Sequence, residues 1–295
     1  SKIQYAINNA SSGDTVFVYN GTYNENIVVN KSINLVGEDN EKTILTYFYS
    51  HPDYTNNDLI INSDDVTIQN FNIKPKNCHF NIFIKGNNTL IKNNNFYNYS
   101  FYIFSNNNSL EKNKISKGLL SLYSSNYNKI LRNNNFKSIF LTKSDSNEIK
   151  HNCISKGGII IDEDSENNII NNNIIKDNQI GIELRSKNNQ IQYNDFISNN
   201  LHVLILYKGH CKWFHNYWGP IDSEALSKIL LNELGIDTNV SLMNSIFRIS
   251  NFVNRMLPLP KLLFGFGIYQ NIPRIFIDFD FRPALTPNCD FGGDF

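Results

Sequence analysis

The residues in this chain most suited to chemistry are a few carboxylates, one arginine and an aromatic stretch. Asp162, Glu183 and Arg185 offer two acids and a cation that a repeat would bring onto neighbouring coils. Paired carboxylates of this kind serve acid–base cleavage of sugar linkages. Asp162, Glu163, Asp164 and Glu166 make a dense acidic turn, and oxygen ligands from Asp162, Asp164 and Glu166 suit calcium. A solvated turn and a surface ion pair are the preferred readings of these two groups. Thr46 to Tyr54 is rich in rings, and Tyr47, Tyr49, His51, Asp53 and Tyr54 suit glycan contact. Rings stack on sugars, and Asn and Asp bond hydroxyls. A loop packing its own rings is the competing account.

Metal and thiol chemistry have weaker support. Cys78, Cys153, Cys211 and Cys289 lie far apart, without zinc-ligand spacing. Buried free thiols are the expectation, and a disulfide stays open. His79, His151, His202, His210 and His215 share no motif. His151 and His215 occupy the same repeat position three coils apart, too far to share a ligand.

What positions these residues is a repeat. The chain has 295 residues and 51 Asn, and 27 Lys and Arg balance 27 Asp and Glu. Neutral charge excludes a basic nucleic-acid footprint, and no apolar run is long enough to cross a membrane. Asn favours turns and alternates here with Ile, Phe and Tyr, so many short strands joined by many turns are expected. The chain begins Ser1-Lys2 without Met or a signal segment, which reads as trimmed or mature.

The unit is apolar-x-x-Asn-x-apolar. It occurs at Ile91-Asn94-Phe96, Leu110-Asn113-Ile115, Leu131-Asn134-Phe136 and Ile149-Asn152-Ile154. Ile169-Asn172-Ile174, Ile191-Asn194-Phe196 and Trp213-Asn216-Trp218 continue it. A second apolar-x-apolar block lies between units. About 20 residues per turn without a helical stretch describe one coil of a parallel β-helix. Coils stack about 4.8 Å apart, so about nine coils span residues 15 to 220. A leucine-rich repeat would need a Leu two residues before each unit, where Thr89, Asn108 and Lys129 stand instead. The Asn is expected to take the left-handed conformation at a corner and to stack as a hydrogen-bonded ladder.

The fold class is therefore all-β, a right-handed parallel β-helix with an N-terminal capping helix near residues 3–10. Two domains are expected: 1–220 as the rod, and 221–295 as a partly helical tail that packs on it. Helices are expected over 222–234 and about 240–256, with a strand near 274–279.

Aligning the coils predicts the faces. Two columns point inward and form the core: Ile82 through Ile182 to Leu204, and Ile84 through Leu184 to Leu206. The outward column between them reads Phe83, Tyr102, Ser121, Phe140, Ile160, Glu183, Ile205. A solvent-facing column should be polar, so something covers this one, and the apolar tail is the suggested cover. The outward column Lys92, Glu111, Arg132, Lys150, Ile170, Gln192, Phe214 is largely polar and reads as wet.

Gly13-Asp14-Thr15-Val16-Phe17-Val18, Gly21-Thr22-Tyr23-Asn24-Glu25 and Lys31-Ser32-Ile33-Asn34-Leu35-Val36-Gly37-Glu38 resemble the start of pectin-lyase-like proteins. With the Asn-Ile repeats and Asn216-Tyr217-Trp218-Gly219, residues 1–220 resemble the NosD/CASH group of carbohydrate-binding and sugar-hydrolase β-helices. Asp278-Phe279-Asp280-Phe281-Arg282-Pro283-Ala284 is similar to closing segments of archaeal cell-surface members. The resemblance implies a sugar-related, extracellular or cell-surface role, not an activity. Gly21-x-Tyr23-x-Glu25 is similar to a pectin methylesterase motif, but that family's catalytic Asp and Gly-Arg-Pro-Trp segments are missing. The polygalacturonase and alginate epimerase motifs are missing too.

NosD is linked to copper-site assembly. The chain has only Met243 and Met256, and no His-x-x-Met, so copper gains little from the residues. The leading expectation is a module that binds glycan or a protein partner without catalysis. A polysaccharide lyase, hydrolase or epimerase with a non-standard site is the alternative. Calcium is the one cofactor that the acidic turn suggests.

Overall fold

In a computed structural model, the described residues are 2–47, 59–75, 80–206 and 211–218, plus the strands Lys261–Tyr269 and Ile272–Asp280. The expected helices over 222–234 and 240–256 lie outside them. The architecture is a right-handed parallel β-helix of about nine coils.

A coil has three short strands, two of which run on as one in Lys114–Tyr123, Asn134–Thr142 and Cys153–Ile161. In the central coils they are represented by Phe80–Ile84, Leu90–Lys92 and Asn95–Tyr97. The Leu90–Lys92 strand stacks in parallel on Thr67–Gln69 below it and Ser109–Glu111 above it. The stack runs from Thr15–Val18 to Lys212–Phe214. Ile272–Asp280 follows at the end of that sheet, antiparallel to Lys261–Tyr269, with Asp280 opposite Trp213.

The first coil is closed by the helix Ile3–Asn9, which buries Ile3 and Ile7. Glu25 fixes it by accepting the backbone N–H groups of Ile3 and Gln4 at 2.8 and 3.0 Å. Here the methylesterase-like motif has a structural job: its acid caps a helix start, where free N–H groups favour negative charge. Its Tyr23 hydroxyl bonds the Tyr19 carbonyl at 2.9 Å.

Alternation in short strands sends every second residue inward, so identical side chains stack coil on coil. Ile68, Ile91, Leu110, Ile130, Ile149, Ile170, Ile191 and Trp213 form one buried column. Ile82, Phe101, Leu120, Ile139, Ile159 and Ile182 form another, paired in register.

The Asn ladder lies at the corner after the second strand. Asn94 donates its backbone N–H and Nδ2 to Oδ1 of Asn113 at 3.1 and 3.3 Å. Asn113 treats Asn133 the same way, and the pattern continues through Asn152, Asn173 and Asn194 to Asn216. Each Nδ2 also reaches back to a strand carbonyl, as Asn152 does to Ile130 at 2.7 Å. Only an amide offers this acceptor and two donors together.

Two details of the sequence reading are corrected. The ladder residues in two coils are Asn133 and Asn173, not Asn134 and Asn172. Their strands place Ile130 and Ile170 inward, so the wet column contains Leu131 and Asn171 rather than Arg132 and Ile170. Runs of three Asn hide the register in sequence, and a one-residue slip turns every side chain to the other face. The left-handed conformation belongs to the preceding residue, not to the ladder Asn. Asn93, Lys112, Arg132, His151, Asn172, Tyr193 and His215 all have φ between 51° and 56°. The corner tolerates any of these types because the neighbouring ladder supplies the hydrogen bonds.

A second ladder at the preceding corner runs Asn108, Asn128, Asn147, Asn168, Asn189. It starts from Thr89, whose N–H donates to Asn108. Cys211 stands buried at the far end of this corner, beside Ser186. The repeat period alone does not single out this second ladder. Its signal was a second Asn five residues before the first.

Candidate functional site

The first-strand sheet presents the apolar outer column that the sequence pointed to. In register it runs Val28, Ile60, Phe83, Tyr102, Ser121, Phe140, Ile160, Glu183, Leu204. The last coil is shifted from expectation by one: Val203 and Ile205 point inward and Leu204 outward. Leu204 is nonetheless only 2% exposed, so the column is covered at this end. Phe83 through Glu183 are half-buried.

Rings gather on the central coils. Phe83 and Tyr102 stack with centroids 5.3 Å apart and planes 20° apart. Phe104 lies nearly parallel to both, at 6.4 and 6.5 Å. Tyr123 tilts by 59° against Phe104 at 6.2 Å. Phe104 and Tyr123 are 44% and 47% exposed, an unusual cost for large apolar groups. Strand geometry places them: Tyr102 and Phe104 are two residues apart on one face, and Tyr123 stacks one coil above Phe104.

The sequence candidates Asp162, Glu183 and Arg185 do meet, at the other end of this face. Arg185 donates Nε to Glu183 Oε1 at 2.7 Å, and its Nη2 approaches the same oxygen at 2.6 Å. Its Nη1 lies 3.5 Å from Asp162 Oδ1. Partial burial works against the Arg185 charge. The hydrogen bond and charge of Glu183, with Asp162 and Glu163, outweigh it and raise its pKa.

The calcium candidates separate. Asp162 faces Arg185, while Glu166 accepts from Asn188 at 2.8 Å and lies 3.9 Å from Lys187. Asp164 is an exposed left-handed turn residue. Tyr49, His51, Asp53 and Tyr54 lie outside the described residues, and Tyr47 is described only as the last backbone position of Thr43–Tyr47.

His202 is buried beside Phe196, and Asn199 Nδ2 lies 3.4 Å from its Nδ1. His215 stacks on Tyr193 at 5.2 Å. His151 has its pKa lowered by burial and by the charges of Arg132 and Lys150. Cys153 is a free thiol whose pKa burial raises, and Cys211 is buried with its Sγ 3.8 Å from the Ser186 carbonyl oxygen.

Residues 7–225 match the family model described as periplasmic copper-binding protein (NosD). No curated protein and no solved structure matches the chain. Copper needs a group of His, Cys or Met donors. Among the described residues no three His, Cys, Asp or Glu side chains are placed to hold one metal ion. The described residues therefore do not fit a copper site, and Cys78, His79, His210, Met243, Met256 and Cys289 lie outside them. The family match spans most of the chain and coincides with the coiled region, which carries the stacked Asn corners: the chain belongs to the NosD family.

Proposed function

We propose that this protein is an extracytoplasmic β-helix module that binds glycan through the outer aromatic column, without catalysis. One observation carries the reading. Phe83, Tyr102, Phe104 and Tyr123 share an outer face, and two of them are close to half exposed. Aromatic side chains provide large rigid contact area, and Tyr adds a polar tip for hydroxyls. The family description, periplasmic, agrees with a place outside the cytoplasm. Residues 221–295 would close the C-terminal end, a role supported by Ile272–Asp280 continuing the sheet beyond Lys212–Phe214.

The enzymatic alternative rests on Asp162 and Glu183. A general acid needs a carboxyl that keeps its proton near neutral pH. A guanidinium bonded to one acid and facing the other suits a structural ion group instead. A glycan array beside a turnover screen on uronic-acid polymers tests both readings. Binding that is lost in Tyr102→Ala with Phe104→Ala, without turnover, is expected. Turnover that disappears in Glu183→Gln or Asp162→Asn would replace the binding reading with the enzymatic one.

A further inference from the structure

Charge is distributed unevenly along the outer face. From Val28 to Ile160 the central column holds no acid or basic side chain. The neighbouring column reads Phe104, Tyr123, Thr142 and then Asp162 and Arg185. Lys85 stands at its far end, beside Phe104. Acidic charge in these two columns thus begins on the coils of Asp162 and Glu183, while Lys85 is the cation at the opposite end. In the turns around them Asp145, Asp162, Glu163, Asp164, Glu166 and Glu183 outnumber Lys143, Arg185 and Lys187.

Arg185 is the cation nearest these acids, yet the Nε–Nη2 edge of its fork is committed. Nε and Nη2 are held by Glu183, and Nη1 faces Asp162. Arginine recognises carboxylates through a paired fork of N–H groups, and here the Nε–Nη2 edge is already occupied. The field that remains at this end of the aromatic column is negative. Such a field lowers the local concentration of anions and leaves neutral molecules unaffected.

We infer that Asp162, Arg185 and Glu183 form a charge filter that restricts the aromatic column to neutral glycans. The inference rests on the glycan reading above and gives the two acids a role in specificity instead of catalysis. Coils advance about 4.8 Å each along the rod, which puts Asp162 two coils and Arg185 three coils beyond Tyr123. A chain seated on Phe83, Tyr102 and Tyr123 therefore meets the filter a few sugars later.

The test is calorimetric titration of the full chain with neutral oligosaccharides (glucan, mannan and xylan hexamers) and with hexagalacturonate. Neutral hexamers are expected to bind. Hexagalacturonate should be at least about fivefold weaker at low salt, the factor given by one unit charge at about 4 Å in water. The gap should narrow between about 0.02 M and about 0.5 M salt. It should close or reverse in the Asp162→Asn, Glu183→Gln double variant, which removes both acids and leaves the Arg185 cation. The salt series on the unaltered chain decides the matter if that variant folds poorly. Hexagalacturonate binding as tightly as neutral hexamers at low salt, on a column that Tyr102→Ala disables, would overturn the filter and leave the glycan reading standing. A gap that persists in the folded double variant would also overturn the filter. Failure of every oligosaccharide to bind overturns both.

Discussion

The outer face with Phe83, Tyr102, Phe140 and Ile160 and the outer face with Lys92, Glu111, Lys150 and Gln192 stand on the same coils. Both cover core columns that are almost fully buried. Both have parallel pairing and neighbouring Asn corners. Folding therefore explains the inward residues of either face equally well and does not require rings on the outside of one of them. A sheet face left to water alternates apolar with polar, as the lysine-bearing face does. The departure on the aromatic face is a surplus beyond what the rod needs, and a surplus of exposed apolar surface marks an interaction site. The polar face serves as the internal control.

Breaking what both faces share should have the largest effect. Asn152 accepts two bonds from Asn133 and donates to Ile130, Lys150 and Asn173. Asn152→Ala strands buried donors and acceptors at about 1–3 kcal/mol each, so a loss of at least about 3 kcal/mol is expected. Urea denaturation checks it, with Lys150→Ala as the adjacent surface comparison. The half-buried surface pair of Lys150 with Glu148, 2.9 Å long, should be worth less than about 1 kcal/mol.

Separating the faces comes next. Tyr102→Ala with Phe104→Ala should weaken glycan binding by about tenfold or more, the cost of losing aromatic contacts of about 0.5–1.5 kcal/mol each. Thermal melting should show the fold retained. Lys92→Ala with Gln192→Ala on the polar face should leave binding unchanged and stability within about 0.5 kcal/mol. Equal losses on both faces would remove the distinction.

The smallest effect concerns pH at the corner beside the polar face. His151 has its pKa held below 6.5 by burial, Arg132 and Lys150. Above 6.5 the ring is neutral whether the chain is folded or not. As pH falls through 6.5 the unfolded chain gains the proton first, so stability declines until the folded pKa is reached. His151→Asn should flatten this decline. Proton NMR of the ring should titrate below 6.5, and a midpoint at or above that value would contradict the account.

Much of the fold was legible because the repeat is carried by residue types with narrow uses. Ile and Leu in alternation show the inward columns, and Asn94, Asn113, Asn152, Asn194 and Asn216 show one corner. Legibility failed where neighbours are alike. Asn133, Asn134 and Asn135 satisfy the pattern in more than one register, as do Asn171, Asn172 and Asn173. Only the buried positions of Ile130 and Ile170 resolve them. The same one-residue ambiguity misplaced Leu204 and Ile205, because Val203 to Leu206 are apolar without a break.

The sequence by itself determined the coil period, the strand and corner chemistry, and the presence of an apolar column where a polar one belongs. These are local properties of alternation and turn preference. The tertiary structure decided which residues touch across coils: Phe83 with Tyr102, Asn147 with Asn168, and Arg185 with Asp162. Such contacts join residues about one coil apart, and coil length varies by a residue or two. Each partner is therefore set by stacking register, which hydrogen bonding and burial along the whole rod determine together.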